Sequence, residues 1–404
     1  MGNPLGPPVR GKDFYGRDAF VSLVWEKLQG GNVLLAAPRR FGKTSVMYSL
    51  IDNPKDDYQF VHADLQHLIE PAELITLLVV QLAKDNRLTK VANSLSYFPG
   101  KLWSGFRQNF EEVELLKLKV KLRQSLRSNW QESGEELFKR LSHIDHTVVF
   151  ILDELPMMID RMARSPSHRE EAKTMLRWLR ALRVSPDTRN VRFLVAGSIG
   201  IDRVLIELGE IAAINDFEQL WLEPFKPDIA STFLDTLAEQ HNLPLSEASK
   251  RKMLTLIGTL IPYFLRVIFS EVYNAYKLNG QDITPRVVEQ IYRDRVLGVN
   301  CKTYFEHYYS RLRDYYQPYE EQAIKRMLRQ LAVDEYLTRD SCYQLYREIT
   351  TSNARLDEFN RLMSDLENDF YIHYDSRSQQ YKFASKLLRD WWLRHYGMEL
   401  DFEV

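Results

Sequence analysis

The sequence predicts an α/β chain: a doubly wound domain on a parallel sheet, then a helical segment, then a segment of helices and one hairpin. Two observations carry this. Short continuous apolar runs, Val33–Ala37, Phe60–Leu65, Val148–Leu152, Val191–Ala196 and the briefer Leu220–Leu222, alternate with helical patterns. Strands apolar on both faces and separated by helices belong to a parallel sheet covered on both sides. After Pro224 the strand pattern stops and helical periodicity takes over.

The elements follow in order. The first thirteen residues hold three Pro and three Gly and read as an extended lead-in. A helix follows with Phe20, Leu23, Val24 and Leu28 at helical spacing, and Gly30-Gly31 ends it. The sheet runs to about residue 222. Ile229–Gln240, Ser246–Ile257, Pro262–Leu278 and Pro285–Val296 are amphipathic and form a compact helical domain of a lid's size. Phe305, Tyr308, Tyr309, Leu312, Tyr316 and Tyr319 then recur at helical spacing. Such a stripe can stack bases, but core is the favoured reading. Helices at Glu320–Ala332 and Leu356–Glu367 precede two β-type runs, Phe370–Tyr374 and Tyr381–Phe383, around the turn Asp375–Gln380. A last helix carries Leu387, Leu388, Trp391 and Trp392. Helices followed by a hairpin suggest a winged helix. The expected domains are 1–222, 223–300 and 301–404.

Bulk properties narrow the function. A chain of 404 residues has room for two or three cores. Its 54 basic and 55 acidic residues give a formal charge of −1, so no global field draws it to nucleic acid or membrane. The two cysteines, Cys301 and Cys342, fit no metal spacing and read as free thiols in a reducing compartment. The N-terminus lacks the apolar core of a signal peptide, and no apolar run is long enough to span a bilayer. The expectation is a cytoplasmic protein with no membrane contact. His143/His146 and His62/His67 lack supporting ligands and read as structural or surface residues.

The strongest motif is Ala37-Pro38-Arg39-Arg40-Phe41-Gly42-Lys43-Thr44, followed by Ser45. It fits the P-loop pattern with alanine in place of the first glycine. Gly42 lets the backbone approach phosphate, and successive N–H groups form an anion nest at a helix start. Lys43 is placed for the β- and γ-phosphates, and Thr44 for Mg²⁺. An apolar strand enters this loop, and a helix with Val46, Met47, Leu50 and Ile51 leaves it.

A second motif, Val148 to Glu154, is a buried strand that delivers two carboxylates at its C-terminal end, where ligands gather in open α/β sheets. Asp153 would hold Mg²⁺ through its water shell, and Glu154 would polarise the attacking water. An acidic helix start is the bland alternative, which the upstream loop disfavours. The strand Val191–Ala196 ends near Ser198, either a γ-phosphate sensor or a helix cap.

In this order the motifs resemble the AAA+ superfamily, and more narrowly the prokaryotic archaeal-type ATPases of the STAND class, related to origin-recognition ATPases. The matching residues are Phe14–Asp18, the loop Ala37–Thr44, the Walker B run ending in Asp153–Glu154, the AGS before Ile199, Glu223–Phe225 and Ile261–Leu265. The resemblance implies a fold of a P-loop AAA+ core, a helical lid and a C-terminal winged-helix-like domain. It implies ATP or ADP with Mg²⁺ as ligands. Phe14, Tyr15, Gly16 and Arg17 would pack near adenine. Pro262 matches the lid proline that approaches nucleotide in STAND proteins, although Thr259, Leu260 and Ile261 replace the usual Gly-Gly-x before it. Many relatives assemble and supply an arginine finger. Arg177, Arg180 and Arg183 offer one, with a solvated face as the favoured alternative.

Two charge patterns bear on partners. Over Ser352–Asp369, the expected recognition helix, Arg355 and Arg361 face Asp357, Glu358, Asp365, Glu367 and Asp369. Phosphates repel an acidic helix, so a protein partner or an autoinhibitory wing is favoured over DNA. Lys117, Lys119, Lys121 and Arg123 alternate with Leu118, Val120 and Leu122 and read as a strand with one basic face. That face either meets a phosphate backbone or an acidic partner, or it protects a sheet edge or pairs across strands with Glu112 and Glu114, and the second reading is favoured. The expected function is a slow ATPase switch that couples nucleotide state to a partner, with signalling or defence compatible. A DNA-remodelling ATPase and a non-hydrolysing, nucleotide-bound scaffold are the alternatives.

Overall fold

In the computed structural model, which describes residues 8–55, 57–97, 112–197, 200–350 and 355–397, each apolar run of the first half is a strand. These are β1 (Asn32–Ala36), β2 (Tyr58–Asp64), β3 (Thr147–Asp153), β4 (Val191–Gly197) and β5 (Phe217–Trp221). They form one parallel sheet in the order β2-β3-β4-β1-β5. The inner strands β1, β3 and β4 are buried along nearly their whole length, which is why they read as unbroken apolar runs. The edge strand β5 buries only Leu220 fully, so its signal in the sequence is short.

Nine helices of this part surround the sheet among the described residues: α1 (Asp18–Gly30), α2 (Lys43–Asp52), α3 (Pro71–Lys84), α4 (Thr89–Ser94), α5 (Glu112–Leu126), α6 (Trp130–Leu141), α7 (Leu155–Arg164), α8 (Arg169–Val184) and α9 (Ile201–Leu208). Local chemistry sets their starts. Glu70 and Glu73 form a capping box on α3, and Pro71 sits at its first turn. One core cluster joins Leu34, Val61, Phe150, Phe193 and Val195 of the sheet to Leu78 of α3, Phe138 of α6, Ile159 of α7 and Trp178 of α8. Successive strand residues point to opposite faces, so Val33, Leu35, Val149 and Ile151 serve the other face. There α1 and α2 bury Val24, Leu28, Val46 and Met47.

The stretch Lys117–Arg123 is helical, not a strand as its alternation suggests. A two-residue alternation also places residues at i and i+4. Leu118, Leu122 and Leu126 form the buried helical face, while Val120 is 55% exposed. The basic residues therefore share no single strand face. Arg123 pairs with Glu70 and Glu73 of α3.

The chain divides into two compact units. Val9–Ala37 with Lys43–Leu222 form the α/β unit, and the loop tip Pro38–Gly42 groups with residues from Glu223 onward. The second unit holds α10 (Pro227–His241), α11 (Glu247–Ile257), α12 (Pro262–Asn279) and α13 (Pro285–Ile291), which runs on into a π turn over Tyr292–Val296. Next come α14 (Lys302–Tyr315), α15 (Pro318–Asp334), β6 (Leu337–Thr338), α16 (Arg339–Thr350), α17 (Leu356–Asn368), β7 (Ile372–Asp375), β8 (Gln380–Phe383) and α18 (Lys386–Tyr396). The antiparallel order β6-β8-β7 contains the expected hairpin. Sequence reading missed α16 and β6. The aromatic stripe is core at Phe305, Tyr308, Leu312 and Tyr316, while Tyr319 is 42% exposed. No helix of the described residues is long and apolar enough to cross a membrane.

Candidate functional site

Strand β1 ends at Ala36, and α2 begins at Lys43. The six residues between them form the loop. Gly42 has φ 98, a left-handed backbone that a side chain would strain, so glycine is required where the loop turns into α2. The ammonium of Lys43, on a residue only 6% exposed, donates to the carbonyl of Ala37 at 2.5 Å. The lysine thus closes the loop across its two ends. The α2 N-terminus carries no acidic side chain in its first turn, so no carboxylate of that turn counters its positive dipole end. Thr44 lies in this first turn. The hydroxyl of Ser45 points elsewhere and accepts from the backbone N–H of Val9 at 3.1 Å.

The sheet brings the second motif to the same end. Asp153 is the last residue of β3, paired in register with Ala196 of β4 and Asp64 of β2. Ala36 of β1 pairs with Gly197 on the other side of β4. Asp153 and the loop start are therefore two strands apart, roughly 10 Å by the usual strand spacing. Glu154 follows in a left-handed conformation, φ 58 and ψ 31, and its carbonyl accepts from Met157 and Met158 to start α7. Gly197 makes room for this turn, because a Cβ there would lie 2.4 Å from Cγ of Pro156. Ser198 lies outside the described residues.

Two residues join this site that sequence reading left aside. Nε2 of His62, on β2, lies 3.9 Å from Oδ2 of Asp153, and its ring packs on Tyr48 of α2 with centroids 5.8 Å apart. Arg10 pairs with Asp52 and lies 4.3 Å over the ring of Tyr48. The lead-in thereby ties down the helix that carries Lys43.

The remaining predicted residues have plain structural settings. Phe14 to Arg17 are half-buried ahead of α1, with Gly16 at φ 68. Pro262 is at the first turn of α12. Pro38 and Phe41 are buried, Arg39 is half-buried and Arg40 is exposed. Of the three arginines on α8, Arg183 is 5% exposed and bound to Asp216 at 2.7 Å, which commits it to structure. Arg177 pairs with Glu210 at 2.5 Å. A hydroxyl at Thr44 and a carboxylate at Asp153 are hard oxygen donors of the type Mg²⁺ takes, and Lys43 with the α2 N–H groups suits phosphate. The residues present fit a magnesium nucleotide.

A parallel β2-β3-β4-β1-β5 sheet, with a P-loop after β1 and acids after β3, is the fold of AAA+ P-loop ATPases. Among solved structures, the chain is similar to a Walker-type ATPase of Pyrococcus abyssi, with TM-score 0.61, 18% identity, and coverage of 96% of this chain and 98% of that one. It is also similar to the ORC2 protein of Aeropyrum pernix, solved as ADPNP and ADP complexes, with TM-score 0.52, 14% identity, and coverage of 94% and 93%. At such identities the likeness is one of fold. No protein-family model matches the sequence, and no curated protein matches it.

Proposed function

We propose that this chain binds ATP with Mg²⁺ at Ala37–Thr44, hydrolyses it slowly, and uses nucleotide state to control a partner of its C-terminal unit. The carrying observation is the convergence of Lys43 and Asp153–Glu154 at one end of the parallel sheet. In this reading Lys43 and the α2 N–H groups hold the phosphates, and Thr44 and Asp153 hold Mg²⁺. Glu154 orients the attacking water, and Ser198 senses the γ-phosphate. Phe14–Arg17 and Pro262 serve the adenine side, residues 223–300 act as lid, and 301–404 as a winged-helix-like module. The ADPNP and ADP complexes of the Aeropyrum pernix protein support a nucleotide ligand here.

A protein partner is favoured over DNA by α17. Its Asp357 is exposed and its Arg361 is engaged by Glu320 at 3.1 Å, so the helix offers phosphates no free row of cations. The acidity is milder than the sequence suggests, because Asp369 is spent on Arg311 and Glu367 accepts from the N–H of Tyr374. The deciding experiment measures ATP binding and phosphate release for the wild type, Lys43→Ala and Glu154→Gln. Lys43→Ala should lose ATP, and Glu154→Gln should keep ATP and lose turnover. Normal ATP binding by Lys43→Ala would remove the site assignment, and tight, salt-sensitive duplex binding would favour the DNA-remodelling reading.

A further inference from the structure

The candidate loop has a property that its motif does not require. Its tip, Pro38–Gly42, belongs to the same compact unit as the residues from Glu223 onward. Two aromatic rings hold that tip. Phe41, only 2% exposed, meets Phe370 edge to face, with centroids 4.9 Å apart and planes at 80°. The guanidinium of Arg40 lies 4.4 Å from the centre of the Tyr263 ring. Both geometries are attractive ones for a ring quadrupole.

The backbone on each side of the aromatic contact is strained. Arg40 has φ 73 and Phe370 has φ 64. Residues with a Cβ keep such values only where their surroundings hold them. Phe370 is held by both of its neighbours. Asp369 pairs with Arg311 at 2.8 Å, with both side chains under 10% exposed. The hydroxyl of Tyr371, a fully buried residue, donates to the carbonyl of Tyr308 at 2.7 Å. Tyr263, in the first turn of α12, is 9% exposed and its ring lies edge-on to that of Tyr304, with centroids 6.4 Å apart. Both rings are thus embedded in packed surroundings on their side of the contact. Burial and the charges of Arg311, Arg40 and Arg39 hold His307 down to a pKa of about 3, so it adds no positive charge against Arg40.

We propose that Phe370 and Tyr263 are positioning residues for the phosphate loop: acting through Phe41 and Arg40, they keep the backbone around Gly42 arranged for a nucleoside polyphosphate. This rests on the nucleotide reading of Ala37–Thr44. Linkage makes the effect reciprocal, so bound nucleotide strengthens the contacts of Phe41 with Phe370 and of Arg40 with Tyr263.

The test titrates a fluorescent ATP analogue into the full chain as wild type, Lys43→Ala, Phe370→Ala, Phe370→Tyr, Tyr263→Ala, Phe41→Ala and the Phe41→Ala/Phe370→Ala double variant. Phe370→Ala and Tyr263→Ala should each weaken binding about tenfold, the loss expected when a loop is no longer preorganised. Phe370→Tyr should bind as wild type. Phe370→Ala should add nothing in the Phe41→Ala background, since the two rings act as a pair. Phe370→Leu and Tyr263→Leu make the same comparison should an alanine variant fail to fold. Wild-type affinity in Phe370→Ala, or fully additive losses in the double variant, overturns the proposal alone. A wild type that binds no ATP overturns the nucleotide reading and this proposal with it.

Discussion

Nε2 of His62 lies 3.9 Å from Oδ2 of Asp153, so a histidine on one strand faces the carboxylate that ends the next. Both side chains are mostly buried, at 24% and 11% exposed. At 3.9 Å the pair is one small shift short of a hydrogen bond; a ring nitrogen that makes such a bond to a metal-binding carboxylate orients it, and loss of that support lowers metal affinity about 10- to 100-fold. If Asp153 serves Mg²⁺, His62→Ala should move the Mg²⁺ dependence of phosphate release at least about tenfold upward. An unchanged Mg²⁺ curve would show that His62 only packs against Tyr48.

Gly197→Ala should damage the same site from another direction. The new methyl group would meet Pro156, two residues beyond Glu154, at 2.4 Å. Overpacking of this kind costs about 1–3 kcal/mol, and here relief requires α7 to shift. Urea denaturation should show the loss, and phosphate release should fall beyond what stability explains. A Gly197→Ala protein with wild-type stability and turnover would mean that Pro156 yields freely.

The legible parts of this molecule are those fixed by local pattern. β1, β3 and β4 are buried on both faces, so their apolar runs announce them. The loop and Asp153–Glu154 were visible because their residue types sit at the ends of those strands. α5 was misread because Leu118, Leu122 and Leu126 satisfy both a two-residue and a four-residue spacing, and only packing against α3 decides. The contact of His62 with Asp153 depends on β2 lying beside β3, an order that no local pattern states. Phe41 looks like an indifferent P-loop residue until the fold sets it against Phe370. The acidity of α17 was overstated because Glu367 and Asp369 find their partners outside the helix.

Acid should weaken the α3–α5 contact at a defined place. Hydrogen bonds from Arg127 and Arg123 hold the Glu70 carboxyl down to about 2 from its ordinary 4.5. A carboxyl with a depressed folded-state pKa contributes stability that is complete above its unfolded value and disappears as pH falls through the folded one. The contribution should therefore be full above about pH 4.5 and be lost between there and about pH 2. Glu70→Gln should flatten this part of the stability-against-pH curve relative to wild type, and Arg127→Ala should do so in part. Parallel curves for wild type and Glu70→Gln would refute the linkage.

The helices of residues 223–300 and the module of 301–404 should unfold together. Gly258 ends α11 with φ 75, and a Cβ there would lie 2.9 Å from Cβ of Lys386 on α18. The hydroxyl of Thr259 donates to the carbonyl of Ala384 at 2.6 Å. The hydroxyl of Tyr292, in the π turn, donates to Asp390 at 2.8 Å. Phe264 of α12 packs on Phe305 of α14. These contacts cross the junction at several separate points, so opening either part exposes buried surface of the other. Native-state hydrogen exchange should then give the slow amides of α12 and α18 the same opening free energy. Tyr292→Phe should lower both by about 1.5–3 kcal/mol, the usual worth of a hydrogen bond to a charged group. Separate opening energies, or a Tyr292→Phe effect confined to one side, would show two independent bodies, and a nucleotide signal reaching the first would then have no rigid path to the second.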